Sequence, residues 1–268
     1  MPSHIIQSHR GAGDLAPENT LPSFELAWRI GTIPEADVRS TSDGVIVAFH
    51  DENLERLAPS ADPEIRSKSV NDLDWDVVSK LDVGSYKGEE YKGQHIPRIS
   101  EVLDCMQGRK DRMLYMDVKK VPLDKLAALV RERGVDEQVI LATPHYDEIH
   151  EWKRLLPKSQ TLLWNGREET RLREQMTELK KADFADITQL QIHVHVLDLN
   201  ASEPFDPSSD FLREVRQEIQ PRGILFQVLV IGSDNPEAYK KLMDIGIMSF
   251  ATDNPMVALK VMSEYNSR

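Results

Sequence analysis

Four short clusters in the chain carry side chains able to do chemistry: His9-Arg10-Gly11, Glu35-Ala36-Asp37, His50-Asp51 and Asp117-Val118-Lys119. Residues two apart on a β-strand point to one face, so Glu35 pairs with Asp37 and Asp117 with Lys119 wherever these segments are strands. If each cluster ends a strand of one sheet, three carboxylates meet two histidines and two cations. Carboxylates so placed repel and raise one another's pKa unless a cation holds them. Oxygen-only ligation by Glu35, Asp37 and Asp117 suits Mg²⁺ or Ca²⁺ rather than zinc. Arg10, with its planar fork, and Lys119, a point charge, suit the non-bridging oxygens of a phosphate. His9 and His50 can then share the proton work of cleaving a P–O bond. One takes a proton from the attacking hydroxyl or water, and the other protonates the leaving alkoxide. A Glu-x-Asp pair by itself reads as a solvated strand face; its neighbours make it a candidate metal site in a phosphodiesterase.

These residues need a scaffold, and the rest of the chain describes one. β-rich runs fall at 4–9, 33–38, 112–118, 138–142, 160–164, within 185–197, at 223–230 and at 247–252. Helical spacing occupies 19–30, 99–107, 122–133, 146–155, 168–181, 209–219, 235–244 and the stretch after Pro255, with start signals at Asn19, Ser100 and Asn254-Pro255. Eight βα units over this length predict an α/β fold, a (β/α)8 TIM barrel whose site lies at the C-terminal ends of the strands. An open doubly wound sheet is the alternative, but Gly11-Ala12-Gly13 runs into Asp14-Leu15-Ala16-Pro17 and lacks the Gly-rich turn into a helix. Thr41-Ser42-Asp43-Gly44 predicts a hairpin between Ala36–Arg39 and Val45–His50. A turn centred on Ser42 and Asp43 would set His50 opposite Glu35. The polar stretch 53–97 is long for a connection and is expected to be an inserted subdomain or lid near the C-terminal face, within a single domain spanning 1–268.

Composition removes other classes. Against 33 Lys and Arg stand 45 Asp and Glu, a formal charge of −12, which argues against nucleic acid or an anionic membrane as partner. The longest apolar run, Gly223 to Ile231, is interrupted by Gln227 and is well short of the ~20 residues of a membrane span. A single cysteine, Cys105, leaves no internal disulfide or multi-cysteine zinc site. The first residues show no basic or apolar leader, which predicts a cytoplasmic protein, or a secreted or periplasmic one if a leader has been removed.

With these residues in view, the chain resembles the glycerophosphodiester phosphodiesterase family. The resemblance runs through His9-Arg10-Gly11, Pro17-Glu18-Asn19-Thr20 with Phe24 and Ala27, Glu35-x-Asp37-Val38, Thr41-x-Asp43-Gly44, and His50-Asp51 with Leu54 and Arg56. It continues through Leu81-Asp82-Val83-Gly84-Ser85 and Ile96-Pro97 to Gly246, Thr252-Asp253 and Pro255. It implies a TIM barrel that hydrolyses glycerophosphodiesters, small-molecule substrates, to sn-glycerol 3-phosphate and an alcohol. It also implies Glu35, Asp37 and Asp117 as ligands of a divalent metal ion, His9 and His50 as the acid/base pair, and Arg10 and Lys119 as phosphate binders. Two places depart from the family's usual pattern: Asp117 stands where Glu is common, and the stretch Phe226-Gln227-Val228-Leu229 where a Trp-Thr-Val motif is common. Metal preference and pocket shape are expected to differ accordingly.

Plainer roles are expected elsewhere. Glu18 and Asn19 both stand where they could touch the site; Asn19 suits at least equally a cap of the first helix, and Glu18 a group that supports the site from behind. His193 and His195 read as packing histidines, Cys105 as a small core residue, and the alternating charges of 166–181 as a solvated helix face. Trp75, Tyr86 and Tyr91 suit equally a wall selecting the leaving alcohol and the core of a small subdomain. Other functions stay open: a related barrel acting on another phosphodiester, of lysophospholipid or cyclising phospholipase type, a metal-dependent isomerase or aldolase, and a ligand-binding barrel without catalysis.

Overall fold

The structure is a computed structural model that describes residues 5–267; His4, where the first predicted run begins, lies outside them. The strands, in chain order, are β1 (Ile5–Ser8), β2 (Ile33–Ser40), β3 (Ile46–Ala48), β4 (Leu114–Lys120), β5 (Val139–Thr143), β6 (Gln160–Asn165), β7 (Gln189–Val196), β8 (Phe205–Asp206), β9 (Leu225–Ile231) and β10 (Ser249–Thr252). Parallel pairing runs β1-β10-β9-β7-β6-β5-β4-β2, and β2 pairs back to β1 through Gln7↔Ile33 and Ser8↔Pro34. That closure makes an eight-stranded parallel barrel and excludes the open sheet. All eight predicted runs became its strands, while β3 and β8 are antiparallel additions to β2 and β7.

The helices are α1 (Leu21–Arg29), α2 (Pro63–Arg66), α3 (Trp75–Val78), α4 (Ile99–Asp104), α5 (Leu123–Arg133), α6 (Tyr146–Leu155), α7 (Glu169–Lys181), α8 (Ser209–Ile219), α9 (Pro236–Asp244) and α10 (Pro255–Asn266). Their apolar residues recur at three and four, as Phe211, Leu212, Val215 and Ile219 do in α8, and bury one face against the barrel. Each such fully buried side chain contributes roughly 1.5–3 kcal/mol. α4 begins at the predicted position, whereas α1 begins two residues later than predicted. α1 is preceded by Thr20, because Asn19 is drawn away, as described below; α4 starts at Ile99, where the Glu101 carboxylate accepts the Arg98 backbone N–H at 2.8 Å. No helix among the described residues is long and apolar enough to cross a membrane.

The barrel interior is partly polar. Tyr115 donates to Gln189 Oε1 at 2.7 Å, and Gln227 Nε2 donates to Tyr115 Oη at 3.2 Å and to Ser249 Oγ at 3.1 Å. Gln191 donates to Gln227 Oε1. These amides are buried and satisfied, so they cost little and set a level above which the barrel opens.

The β2–β3 hairpin departs from expectation by one residue. Its pairs are Val38↔Ala48, Arg39↔Val47 and Ser40↔Ile46, so the loop is Ser42-Asp43-Gly44 and the Phe49 N–H reaches Asp37 O at 2.8 Å. His50 therefore falls beyond Asp37 by one step, toward Ala36 instead of Glu35. Gly44, at φ 86°, supplies the left-handed third residue that such a loop requires. After β3 the chain runs through 53–97, where Leu54, Leu57, Val70, Val78 and Val83 form a buried cluster against Val47 and Phe49.

Candidate active site

Asp37 and Asp117 lie side by side in the β2–β4 ladder, and Glu35 sits two residues back on the same face as Asp37. Ligand atoms of the three carboxylates lie within 4.8 Å of one another. One step further the ladder slips, because Val38 pairs with Val118 but Arg39 pairs with Lys120. The extra residue is Lys119, and such a bulge re-aims a side chain at a sheet's end. Lys119 Nζ comes 2.5 Å from Asp117 Oδ2 and 3.3 Å from Asp37 Oδ1.

The loop after β1 closes the other side. Arg10 holds a left-handed backbone at φ 51°, uncommon outside glycine, and its N–H donates to Glu35 Oε2 at 2.6 Å. Its guanidinium donates to Glu18 Oε1 at 3.1 Å and to His50 Nε2 at 2.9 Å. A guanidinium has only donors, so His50 accepts at Nε2 and carries its proton on Nδ1, 2.8 Å from Asp51 Oδ1. Arg39 anchors this turn by donating twice to His50 O, at 3.1 and 2.7 Å. His9 Nδ1 lies 2.7 Å from Asp253 Oδ1, just beyond β10.

Burial and like charge push Glu35 above the usual carboxylate range, and burial with Asp37 close by does the same to Asp117. Burial presses on Asp37 too, but the Lys119 ammonium first, with His9 and the Asn19 hydrogen bond, outweighs it and holds that carboxyl low. Burial also opposes charge on His9, yet the Asp253 hydrogen bond and the charges of Glu35, Asp253 and Asp37 raise it to about 9. Asp51, despite partial burial, is pulled down to about 2 by the donors of Arg56 and His50.

The donor set fits a hard divalent cation. It is all oxygen, it is crowded and largely buried, and Asp37 Oδ1 is a buried atom with no hydrogen bond, only the Lys119 ammonium 3.3 Å away. Arg10 Nε is likewise buried without a hydrogen bond, 3.9 Å from the other Asp37 oxygen, Oδ2.

Sequence reasoning anticipated Glu18 as a supporting group and left Asn19 between capping and the site; it did not name Trp164 or His193 there. Asn19 does not cap α1: at φ 53° it turns inward, donates from Nδ2 to Asp37 Oδ2 at 2.9 Å and accepts the Asp37 N–H at 3.1 Å. Glu18 sits between Arg10 and Arg56, accepting from Arg56 at 2.6 and 2.8 Å, with its own N–H on the Tyr86 hydroxyl at 2.9 Å. Of the three aromatics of 53–97, Trp75 and Tyr86 pack on the local cluster, and Tyr86 also lines a cavity of about 310 Å³ beside His9 and Arg10. His193 is no core residue: it lines the site cavity, whereas the exposed His195 pairs with Asp206 in the β7–β8 ladder.

That cavity, about 250 Å³, has the charged groups on one side. On the other are Leu162 and Trp164 of β6, His193 of β7, and Leu229 and Ile231 of β9. Phe226, where a change of pocket was expected, packs in the outer core, while the two-residue period brings Leu229 to the cavity. A tryptophan is present after all, from β6. Its position at a strand end was the available signal, as it was for Asp253.

The sequence profile of the glycerophosphoryl diester phosphodiesterase family matches residues 9–257. The chain belongs to that family. A glycerophosphodiester phosphodiesterase of Caldanaerobacter subterraneus is 29% identical over 160 residues, a match spanning 57% of this chain and 63% of that protein. Among solved structures, the glycerophosphodiester phosphodiesterase of Agrobacterium tumefaciens superposes with TM-score 0.71 at 21% identity, covering 95% of this chain and 98% of that one. A phosphodiesterase of Oleispira antarctica, solved with the product sn-glycerol-3-phosphate, gives TM-score 0.72 at 22% identity, covering 97% and 96%. At these identities the two structures speak to the fold. Membership places the chain among phosphodiesterases.

Proposed function

We propose that the chain hydrolyses glycerophosphodiesters to sn-glycerol 3-phosphate and an alcohol, with a divalent cation, Mg²⁺ or Ca²⁺, held by Glu35, Asp37 and Asp117. The observation that carries this reading is the convergence of those three carboxylates within 4.8 Å, between the Arg10–His50 pair and Lys119. The product bound to the Oleispira antarctica relative and the names of the family's members support the substrate class.

When bound, the cation supplies Lewis acidity at the phosphoryl oxygens. The chain's own groups do the rest. Arg10 turns its fork, and Lys119 its ammonium, to the non-bridging oxygens, each released in part from the carboxylates it now contacts. His50 keeps its Nδ1 proton on Asp51 and offers the Nε2 lone pair to the attacking hydroxyl or water. His9, held through Nδ1 by Asp253, protonates the leaving alkoxide from its other nitrogen. Glu18 and Asn19 hold Arg10 and Asp37 in place. We read 1–268 as one catalytic domain and 53–97 as a subdomain at the barrel mouth, a reading supported by its own buried cluster and by the reach of Arg56 and Tyr86 to Glu18.

The test is release of glycerol 3-phosphate from glycerophosphocholine and glycerophosphoethanolamine by protein stripped with EDTA, then given Mg²⁺, Ca²⁺ or Mn²⁺. Release restored by a metal is expected. No release with any metal and either substrate would overturn the reading.

A further inference from the structure

The third carboxylate of the cluster is gripped from β6, two strands along the barrel from its own β4. Asp117 Oδ1 accepts the indole N–H of Trp164 at 3.1 Å, and Oδ2 accepts from Lys119. Each oxygen thus has one donor and keeps lone-pair density for a further partner. An aspartate carboxylate otherwise turns with little preference about its last torsion, so a donor on each oxygen chooses the orientation that faces Asp37 and Glu35.

Trp164 is itself held. His193 stacks on its ring, centroids 5.2 Å apart and planes 8° from parallel, and Lys119 Nζ lies 5.8 Å from the ring centroid. Burial pushes His193 down to about 4, so the stacked imidazole is neutral at ordinary pH. The chain after β6 presses on that imidazole: a Cβ at Gly166 would come 2.4 Å from His193 Nδ1, which leaves room for glycine alone. Trp164 is half-buried: it faces the cavity and packs in part on the cluster of Tyr115, Ala142 and Leu162.

We propose that Trp164 is a positioning residue for the cation site, orienting Asp117 through its indole N–H, and that His193 orients Trp164 by stacking. This rests on the reading of Glu35, Asp37 and Asp117 as metal ligands. Groups that orient a metal ligand from behind typically change metal affinity by about 10- to 100-fold.

The experiment is calorimetric titration of Mg²⁺, Ca²⁺ and Mn²⁺, each alone, into EDTA-stripped wild type, Asp117→Asn, Trp164→Phe and the double variant Trp164→Phe/Asp117→Glu. Phenylalanine keeps an aromatic ring against His193 and loses the donor together with part of the indole's volume. Wild type is expected to bind at least one ion, Asp117→Asn to lose it, and Trp164→Phe to bind it about 10- to 100-fold more weakly. The double variant should recover part of the loss, because glutamate reaches further and needs no indole donor; a merely structural role for Trp164 would not respond to a change at position 117. Wild-type affinity in Trp164→Phe while Asp117→Asn has lost the ion would overturn this proposal and leave the metal reading standing, as would a double variant with no recovery. A wild type that binds none of the three ions would overturn both. Should Trp164→Phe fail to fold, as judged by circular dichroism and melting, His193→Ala carries the test. It is expected to weaken the ion several-fold, and unchanged affinity would count against the proposal.

Discussion

The two walls of the barrel mouth are built from different materials. On the side of β1, β2, β3 and β4 stand His9, Arg10, Glu35, Asp37, His50, Asp117 and Lys119, nearly every one in contact with a charge of opposite sign or a hydrogen-bond partner. On the side of β6, β7 and β9 stand Trp164, His193, Leu229 and Ile231, which offer shape, a neutral stack and a low dielectric. The difference teaches a division of labour. In the proposed function the charged groups supply the chemistry, and an apolar wall opposite makes each charge count for more than it would in water.

That division can be broken or sharpened by substitution. The largest effect is expected at His50→Ala, which should lower kcat by about 10²- to 10⁴-fold with little change in thermal midpoint, since His50 sits at the cavity and not in the core. Steady-state kinetics beside a melting curve would show it, and near-normal turnover would remove His50 from the proton work. On the opposite wall, Leu229→Ala should raise KM about 10-fold and leave kcat within a few-fold, the scale of lost apolar contact in a pocket. If it cost as much turnover as His50→Ala, the two walls would not be dividing the work. Behind the charged wall, Glu18→Gln should lower kcat/KM by about 10-fold, because charge-assisted hydrogen bonds such as those to Arg10 and Arg56 are worth roughly 1.5–3 kcal/mol when well made and less where exposed.

The smallest effect concerns acid stability of 53–97. Asp82 accepts from the Ser85 hydroxyl and from the N–H groups of Gly84, Ser85 and Gly93, and these donors outweigh burial and hold its carboxyl well below the usual range. A carboxyl depressed in the folded state stabilises above its ordinary pKa, near 4, and that stabilisation fades as pH falls. Limited proteolysis of 53–97 between pH 6 and pH 3 should therefore accelerate toward acid in the wild type and depend less on pH in Asp82→Asn. Equal pH dependence in both would assign the effect to other carboxylates.

Much of this was legible from residue order. The alternation of strand and helix runs is local, and it marked all eight barrel strands. Strand ends with period-two charges named Glu35, Asp37, Asp117 and Lys119, because a charge at such a place is hard to explain as packing. The rest depended on contacts across the sheet. Asn19 precedes a helix and suits its cap at least as well as the site, yet the buried Asp37 carboxylate competes for its amide and wins. The hairpin register moved by one residue because Gly44 can take a positive φ and lengthen the loop, a choice worth little locally but shared by every pair that follows.

Composition, period and the charged clusters thus determined the barrel, its rhythm and the chemistry of one wall, since those properties are carried by neighbours in sequence. Only the tertiary structure decided that Trp164, forty-seven positions from Asp117, would donate to it, that His193 would stack behind that indole, and that Leu229 and not Phe226 would face the cavity. A hydrogen bond or a ring stack between strands has no local signature: it exists only once parallel pairing sets β4, β5, β6 and β7 side by side.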